Sequence, residues 1–434
     1  MSKKVSFHTL GCKLNFSETS AIGKQFVERG FSIVNFNDKS DVYVINTCTV
    51  TDGADKECRQ IVRRALRNNP NAFIIVTGCY TQLRSDEVKK IKGVDLILGS
   101  NDKFNLFSKI IDFEKNENPA VYVTPLDKMS EFYSAFSTEA DSRTRAFLKI
   151  QDGCDYTCTY CTIPLARGKS RSDAKKNVLR NFKKLIENGY KEIILTGVNV
   201  GTYGQDINES LYSLLAEMIK IEGDFRIRIS SIEPNLLTDE IIELTASSAK
   251  LCKHFHIPLQ SGSDEILSKM QRRYNTKTFK KLIEKINRKI PDVGIGIDVI
   301  VGFPGESDNH FNETYNLLND LKYSYLHVFT YSERPNTKAL NIPDAVDFIV
   351  RKERNIILRK LSEEKLKTFQ QNLIGKELQV LFEHSVKNGM MKGFASNYVR
   401  VSLPENTALI NELVDVKIIG SEDQICRSVI VDSK

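Results

Sequence analysis

Short hydrophobic runs alternate along this chain with stretches in which apolar side chains return every three or four positions. Val5–Leu10, Val42–Asn46, Phe73–Thr77 and Leu96–Leu98 read as buried strands, and Ser17–Arg29, Ala54–Asn68 and Arg84–Ile91 read as the helices between them. That alternation predicts an α/β, doubly wound parallel-sheet domain over residues 1–112. Residues 113–142 are polar, are broken by Pro119 and Pro125, and read as a linker. The alternation then resumes with strand-like Arg145–Gln151, Glu192–Thr196, Arg226–Ser231, His254–Leu259, Ile295–Val301 and Tyr325–Tyr331. These strand–helix units are too few for a full eight-fold barrel. They predict a partial (β/α)6 barrel over 143–373, open on one side, with its chemistry at the carboxyl ends of the strands. A long charged helical stretch, 346–373, closes this region. From residue 374 to 434 the period becomes two. Leu378–Glu383, Gly389–Ala395, Val399–Ser402, Val414–Ile419 and Cys426–Val431, with Gly and Asn turns, predict a small all-β barrel of the oligonucleotide-binding kind.

Composition changes this picture in two ways. No run of eighteen apolar residues occurs, and the start passes into a strand pattern without the apolar stretch of a signal peptide, so the expected location is cytoplasmic. Nine cysteines in such a chain point to metal or redox work rather than disulfides. The net charge of +7 is compatible with a nucleic-acid partner, and Arg59, Arg63, Arg64 and Arg67 form a basic face on one predicted helix. The last module has seven Lys and Arg against eight Asp and Glu from Lys376 onward. RNA affinity there would need a local patch such as Lys392 with Arg400, and Phe382, Phe394 and Tyr398 offer rings for stacking.

The strongest chemical signal is Asp152-Gly-Cys-Asp-Tyr-Thr-Cys-Thr-Tyr-Cys161, which spaces Cys154, Cys158 and Cys161 as C-x-x-x-C-x-x-C. Three thiolates fill three corners of a cubane 4Fe–4S cluster and leave one iron open to a small molecule. A structural zinc knot is the alternative, but it usually adds histidines or a fourth cysteine, and none lies near the loop. Cys12, Cys48 and Cys79 each follow the carboxyl end of a predicted strand. In a parallel sheet those ends share an edge, so the three thiols are expected to converge on a second cluster with an open iron. The alternative is three buried core thiols. Cys58 falls within a helical pattern and Cys426 within a strand pattern, and both read as packing.

The cysteine loop resembles the defining motif of the radical S-adenosylmethionine (SAM) enzymes. The resemblance implies that SAM chelates the open iron and is cleaved to a 5′-deoxyadenosyl radical. Candidate SAM contacts at the strand ends are Thr196, Gly197 and Asn199, then Ser231 and Glu233, then Gln260 and Ser261, then Gly302. Arg167, Lys169 and Arg171 follow the loop, and Arg334 lies past the sixth strand. These are the candidate contacts for an anionic substrate.

Taken whole, the chain resembles the radical SAM methylthiotransferases: a three-cysteine domain, a radical SAM core and a terminal TRAM domain. The resemblance implies that Cys12, Cys48 and Cys79 ligate an auxiliary 4Fe–4S cluster, and that Cys154, Cys158 and Cys161 ligate the SAM cluster. Leu10-Gly-Cys-Lys-Leu-Asn15, Pro164–Arg171, Pro258–Asp264 and Tyr331–Pro335 look most like the branch acting on threonylcarbamoyladenosine in tRNA. That branch places a methylthio group on carbon 2 of the base beside the anticodon (position 37) and consumes two SAM. It also implies an electron donor and a sulfur source as partners. Because the modified base carries a carboxylate, Arg167 or Arg334 is expected to meet it. The rival readings are an isopentenyladenosine tRNA methylthiotransferase, a ribosomal-protein aspartate methylthiotransferase, and a non-catalytic iron–sulfur RNA-binding protein.

Overall fold

A computed structural model describes residues 2–48, 52–110, 112–137 and 144–431. The last part of the expected linker, its border at 143 and the final three residues lie outside the described residues.

The first sheet is parallel throughout. Its strands are β1 (Lys4–Thr9), β2 (Ser32–Ile33), β3 (Val42–Thr47), β4 (Phe73–Gly78), β5 (Leu96–Leu98) and β6 (Ala120–Tyr122), in the order β2-β1-β3-β4-β5-β6. The inner strands β3 and β4 are buried along their whole length, as continuous apolar runs require in a sheet covered on both faces. Helices α1 (Lys13–Val27), α2 (Asp52–Asn68) and α3 (Cys79–Lys89) connect them. The polar stretch after residue 112 is more than a linker, because β6 joins the sheet as an edge strand and Phe113 packs on Phe26, Phe31 and Phe73. Three residues beside Pro119 are too short a run to show a period.

Six further parallel strands form the open barrel. β7 (Arg145–Lys149), β10 (Glu192–Thr196) and β11 (Arg226–Ile229) pair in one half, and β12 (His254–Gln260), β13 (Gly294–Val301) and β14 (Tyr325–Thr330) in the other. The bridges Ile227–Leu251 and Ser231–His256 join the halves. A short antiparallel ribbon, β8 (Gln151–Asp152) with β9 (Arg171–Ser172), follows β7. The strand period of two divides the faces. Ile193, Leu195, Ile227, Ile229, Phe255, Ile257, Ile295, Ile297, Leu326 and Val328 face the main core. The alternate positions carry Glu192, Thr196, Arg226, Arg228, His254, His256, Asp298, Tyr325 and His327, which turn a polar row to the concave side. The helix Phe348–Gln371 packs along β14, where Ser362 Oγ accepts from Leu326 N–H at 2.8 Å.

The last strands, β15 (Glu377–Lys387), β16 (Met390–Ala395), β17 (Arg400–Pro404), β18 (Leu413–Glu422) and β19 (Ile425–Ile430), close a barrel in the order β15-β16-β17-β19-β18. It docks on the concave side of the open barrel. Arg226 donates to the carbonyls of Gln379 and Phe394, and Arg228 to those of Ala395 and Ser396. Phe382, expected as a stacking ring, is fully buried in this barrel's core, as is Cys426, while Arg400 is taken up by Glu383. No helix among the described residues is long and apolar enough to cross a membrane.

Candidate active site

The ribbon β8–β9 pins both ends of the cysteine loop. Cys154 N–H donates to Gly168 O at 3.0 Å, and Thr159 fastens the middle of the loop through Met270 O and Lys269 O. Each sulfur of the loop receives a donor. Tyr156 N–H reaches Cys154 Sγ at 3.4 Å, Arg272 Nη1 reaches Cys158 Sγ at 3.1 Å, and the Ile163 backbone serves Cys161. As free thiols they are pushed up by burial, Cys154 to about 11 and Cys161 to about 12. Donors aimed at sulfur favour the thiolate, the form that binds metal. Arg272 also pairs with Glu233, so that candidate stands beside the loop.

Cys12 caps the start of α1, Cys48 follows β3, and Cys79 opens α3. Because β1, β3 and β4 are neighbours, the three sit on one edge of the sheet, at the switch in strand order where ligands bind such folds. A glycine precedes two of them for a steric reason. Gly11 has φ +95° and Gly78 φ +109°. A Cβ on Gly11 would meet Cys48 Sγ at 2.8 Å, and one on Gly78 would meet Thr47 O at 2.4 Å. A single tetrahedral ion would draw three thiolates to within roughly 4 Å of one another. Among the described residues neither cysteine triad brings its sulfurs within 4.8 Å. Three thiols in each triad would leave one iron of a four-iron group open, and the loop's donors on sulfur fit its thiolate ligands.

Two cavities lie between the triads. The larger, about 810 Å³, is lined by Cys12, Cys48 and Lys13 on one side and by Thr196, Ser230, His254, His256 and Tyr398 among others on the other. The smaller, about 250 Å³, is lined by Cys161, Gln260, Asp298, Tyr331 and Arg334 among others. They adjoin, since Phe329 lines both. Asp298, in the smaller, accepts from His256 Nε2 at 2.7 Å and pairs with His327 Nδ1 at 3.2 Å, both in the larger. Burial works against the Asp298 carboxylate, but the two imidazoles outweigh it and leave its pKa at about 2. Within the larger cavity, Thr196 Oγ1, Ser230 Oγ and His254 Nδ1 are buried without a hydrogen-bond partner among the described residues. Buried polar groups are normally satisfied, so these three mark where a polar ligand would sit.

The structure separates the expected contacts. Thr196, Gly197 and Ser231 line the larger cavity, and Gln260 the smaller. Asn199 is buried, held through its backbone by Gln151. Ser261 lines neither cavity, and its hydroxyl takes Ser263 N–H and meets Thr314. Gly302 lines neither cavity, and a Cβ there would strike Arg351 Cγ at 2.2 Å. Arg167 is the main correction. Only 2% exposed, it spends both Nη groups on Glu18 and Asn15 of α1 and Asp152 of β8, and it lines neither cavity. Lys103 and Lys149 join the same Glu18 carboxylate. Burial alone would raise its pKa, yet the three cations hold it well below the usual range. Arg171, likewise, pairs with Asp152. Lys13, His254, His256, Asp298, Tyr325 and His327 were not expected at the site. The signal for all but Lys13, which opens α1, is the polar half of the period-two pattern in their strands.

A family model described as the Radical SAM superfamily matches residues 148–318, and one described as Uncharacterized protein family UPF0004 matches residues 4–99. Threonylcarbamoyladenosine tRNA methylthiotransferase MtaB of Bacillus subtilis (strain 168) is 41% identical over 421 residues, 96% of this chain and 93% of that one. The tRNA-2-methylthio-N(6)-dimethylallyladenosine synthase of Fusobacterium nucleatum subsp. nucleatum is 34% identical over 426 residues, 96% of this chain and 97% of that one. A solved structure of the radical S-adenosylmethionine methyltransferase TsrM from Kitasatospora setae, with cobalamin and a 4Fe–4S cluster bound, aligns with a TM-score of 0.56 at 13% identity. It covers 90% of this chain and 81% of that one, a likeness of fold.

Proposed function

The chain belongs to the radical SAM methylthiotransferase family, and we propose that within it the enzyme places a methylthio group on carbon 2 of threonylcarbamoyladenosine in tRNA, beside the anticodon. Cys154, Cys158 and Cys161 would hold one 4Fe–4S cluster, and Cys12, Cys48 and Cys79 the other. When bound, these groups and two SAM supply a carbon-centred radical and a methylthio group. The observation that carries the reading is that Cys12 and Cys48 of one triad line one cavity and Cys161 of the other lines an adjoining cavity that meets it at Phe329.

The protein's own residues do the positioning. Leu10, Leu14, Phe16 and Ile229 give the larger cavity apolar walls that exclude water from the base. Asp298, fixed between His256 and His327, holds the wall between the cavities in one arrangement. Thr196 and Gly197 offer polar contacts beside Cys12, with Ser231 on the same wall, and Gln260 and Glu233 do so on the SAM side. Arg334 lines the smaller cavity beside Cys161, so the anion it meets lies on that side. The base reaches this depth only if it is splayed out of the anticodon loop, as RNA readers commonly arrange. The enzyme draws on a one-electron donor and a sulfur source, and works in the cytoplasm.

The test is anaerobic incubation of the reconstituted enzyme with SAM, reductant and tRNA from cells with or without threonylcarbamoylation, read by nucleoside mass spectrometry. A methylthio product on the threonylcarbamoylated base alone is expected. Product on an isopentenylated base instead, or none with 5′-deoxyadenosine also absent, overturns the reading.

A further inference from the structure

Several buried cations in this protein share carboxylates. Lys103, Lys149 and Arg167 share Glu18, Arg226 and Arg228 share Glu192, and Arg354 takes Glu306. Lys13, half-buried, has no such carboxylate. It is the one Lys or Arg among the described residues lining the larger cavity, and it makes no ion pair among the described residues. Its ammonium lies 5.8 Å over the ring of Tyr398. The one carboxylate in that lining, Glu57, is exposed at the rim. An ammonium facing a cavity without an anion is costly to desolvate, and an incoming anion relieves that cost.

The wall opposite is built for the same ligand. His254 is 3% exposed, and its Nε2 meets Tyr325 Oη at 2.9 Å. With Tyr325 donating to Nε2, the Nδ1–H is free to donate, and it has no partner. Tyr398 comes from the carboxyl-terminal barrel, where φ +68° between β16 and β17 turns it inward. Its ring stacks on Phe394 at 4.8 Å and stands 4.7 Å from His254. A tyrosine held in the left-handed region is uncommon, and the stack on both sides keeps it there.

Resting on the substrate reading above, we propose that Lys13 receives the carboxylate of the threonylcarbamoyl group, with His254 as second donor and Tyr398 as the wall that fixes it. Lys13 is then the residue that selects an acid-bearing base over one with a neutral substituent. Arg167 does not line this cavity and spends both Nη groups on Glu18, Asn15 and Asp152, and Arg334 faces the other cavity.

The test measures binding of anticodon stem-loops to the anaerobic, reconstituted enzyme by fluorescence anisotropy. One RNA carries the threonylcarbamoyl acid, a second carries the same group as its primary amide, and a third is unmodified. The wild type is expected to favour the acid over the amide about tenfold or more, the size of a charge-assisted contact. Lys13→Met and Lys13→Gln should bring the two RNAs within about twofold of each other by weakening the acid alone, with iron content and melting temperature guarding against misfolding. Variants that keep the wild-type preference, or that weaken both RNAs equally, overturn the proposal, as does a wild type indifferent between acid and amide. A wild type that does not distinguish the acid from unmodified RNA overturns the substrate reading instead.

Discussion

Arg167 Nη1 lies 2.8 Å from Glu18 Oε1, 149 positions away along the chain, with both side chains buried. Glu18 belongs to the first helix of the amino-terminal domain, and Arg167 to the short helix after the cysteine loop of the barrel. The pair therefore fastens one cysteine triad to the other. It is a clamp between domains, made in a dry interface where neither charge can be left alone.

Removing one end of that clamp should be expensive. Arg167→Met or Glu18→Gln is expected to cost about 3–5 kcal/mol, because the remaining charges stay buried without compensation. Urea unfolding checks this. A loss below about 1 kcal/mol would mean that the network does not hold the domains together.

Acid should loosen the fold in a defined window. Glu18, Asp152 and Glu192 are held below their ordinary values by neighbouring cations despite burial, and Asp298 is held at about 2 by His256 and His327. Between the folded and unfolded values the unfolded chain binds more protons, so this stability is present above about pH 4 and is lost as the pH falls. Asp298 alone accounts for about 2 kcal/mol. Unfolding free energy should drop steeply from pH 5 to pH 3, less so in Asp298→Asn. A flat profile over that range would contradict the assignment.

Gly153 sets the path of the cysteine loop. Its φ is +69°, and a Cβ there would stand 1.9 Å from Lys169 O. Gly153→Ala should displace Cys154 and cut the bound iron from about eight to about four per chain after anaerobic reconstitution. Full iron in this variant would show that the loop can shift without losing its metal.

Tyr398 connects the terminal barrel to the cavity. Tyr398→Ala removes the ring between Phe394 and His254, a stack worth about 0.5–1.5 kcal/mol beyond the area it buries. The larger effect is expected on coupling, with the ratio of methylthio product to 5′-deoxyadenosine falling about tenfold or more. An unchanged ratio would confine Tyr398 to holding the barrel in place.

Much of this architecture was legible in the linear chain. The strand ends that carry Cys12, Cys48 and Cys79 follow from local hydrophobic runs, and the loop at Cys154 from spacing alone. The rings were ambiguous for a physical reason. Phe382 and Tyr398 have the same strand-like surroundings, yet one fills the barrel core and the other, on a left-handed backbone, lines the larger cavity. Ser261, Gly302 and Arg167 stood at strand ends or beside the loop and yet line neither cavity, because nearness along the chain does not set which way a side chain turns.

What the sequence determined by itself was the set of elements, their order and the two thiol sets, since each depends on residues only a few positions apart. What the tertiary structure decided was the pairing of cations. Arg167 went to Glu18 and Arg228 to Glu192, which left Lys13 facing the cavity. Charges settle with whichever partner the packing of three domains brings within a few ångströms, and that proximity is not written in any local stretch of chain.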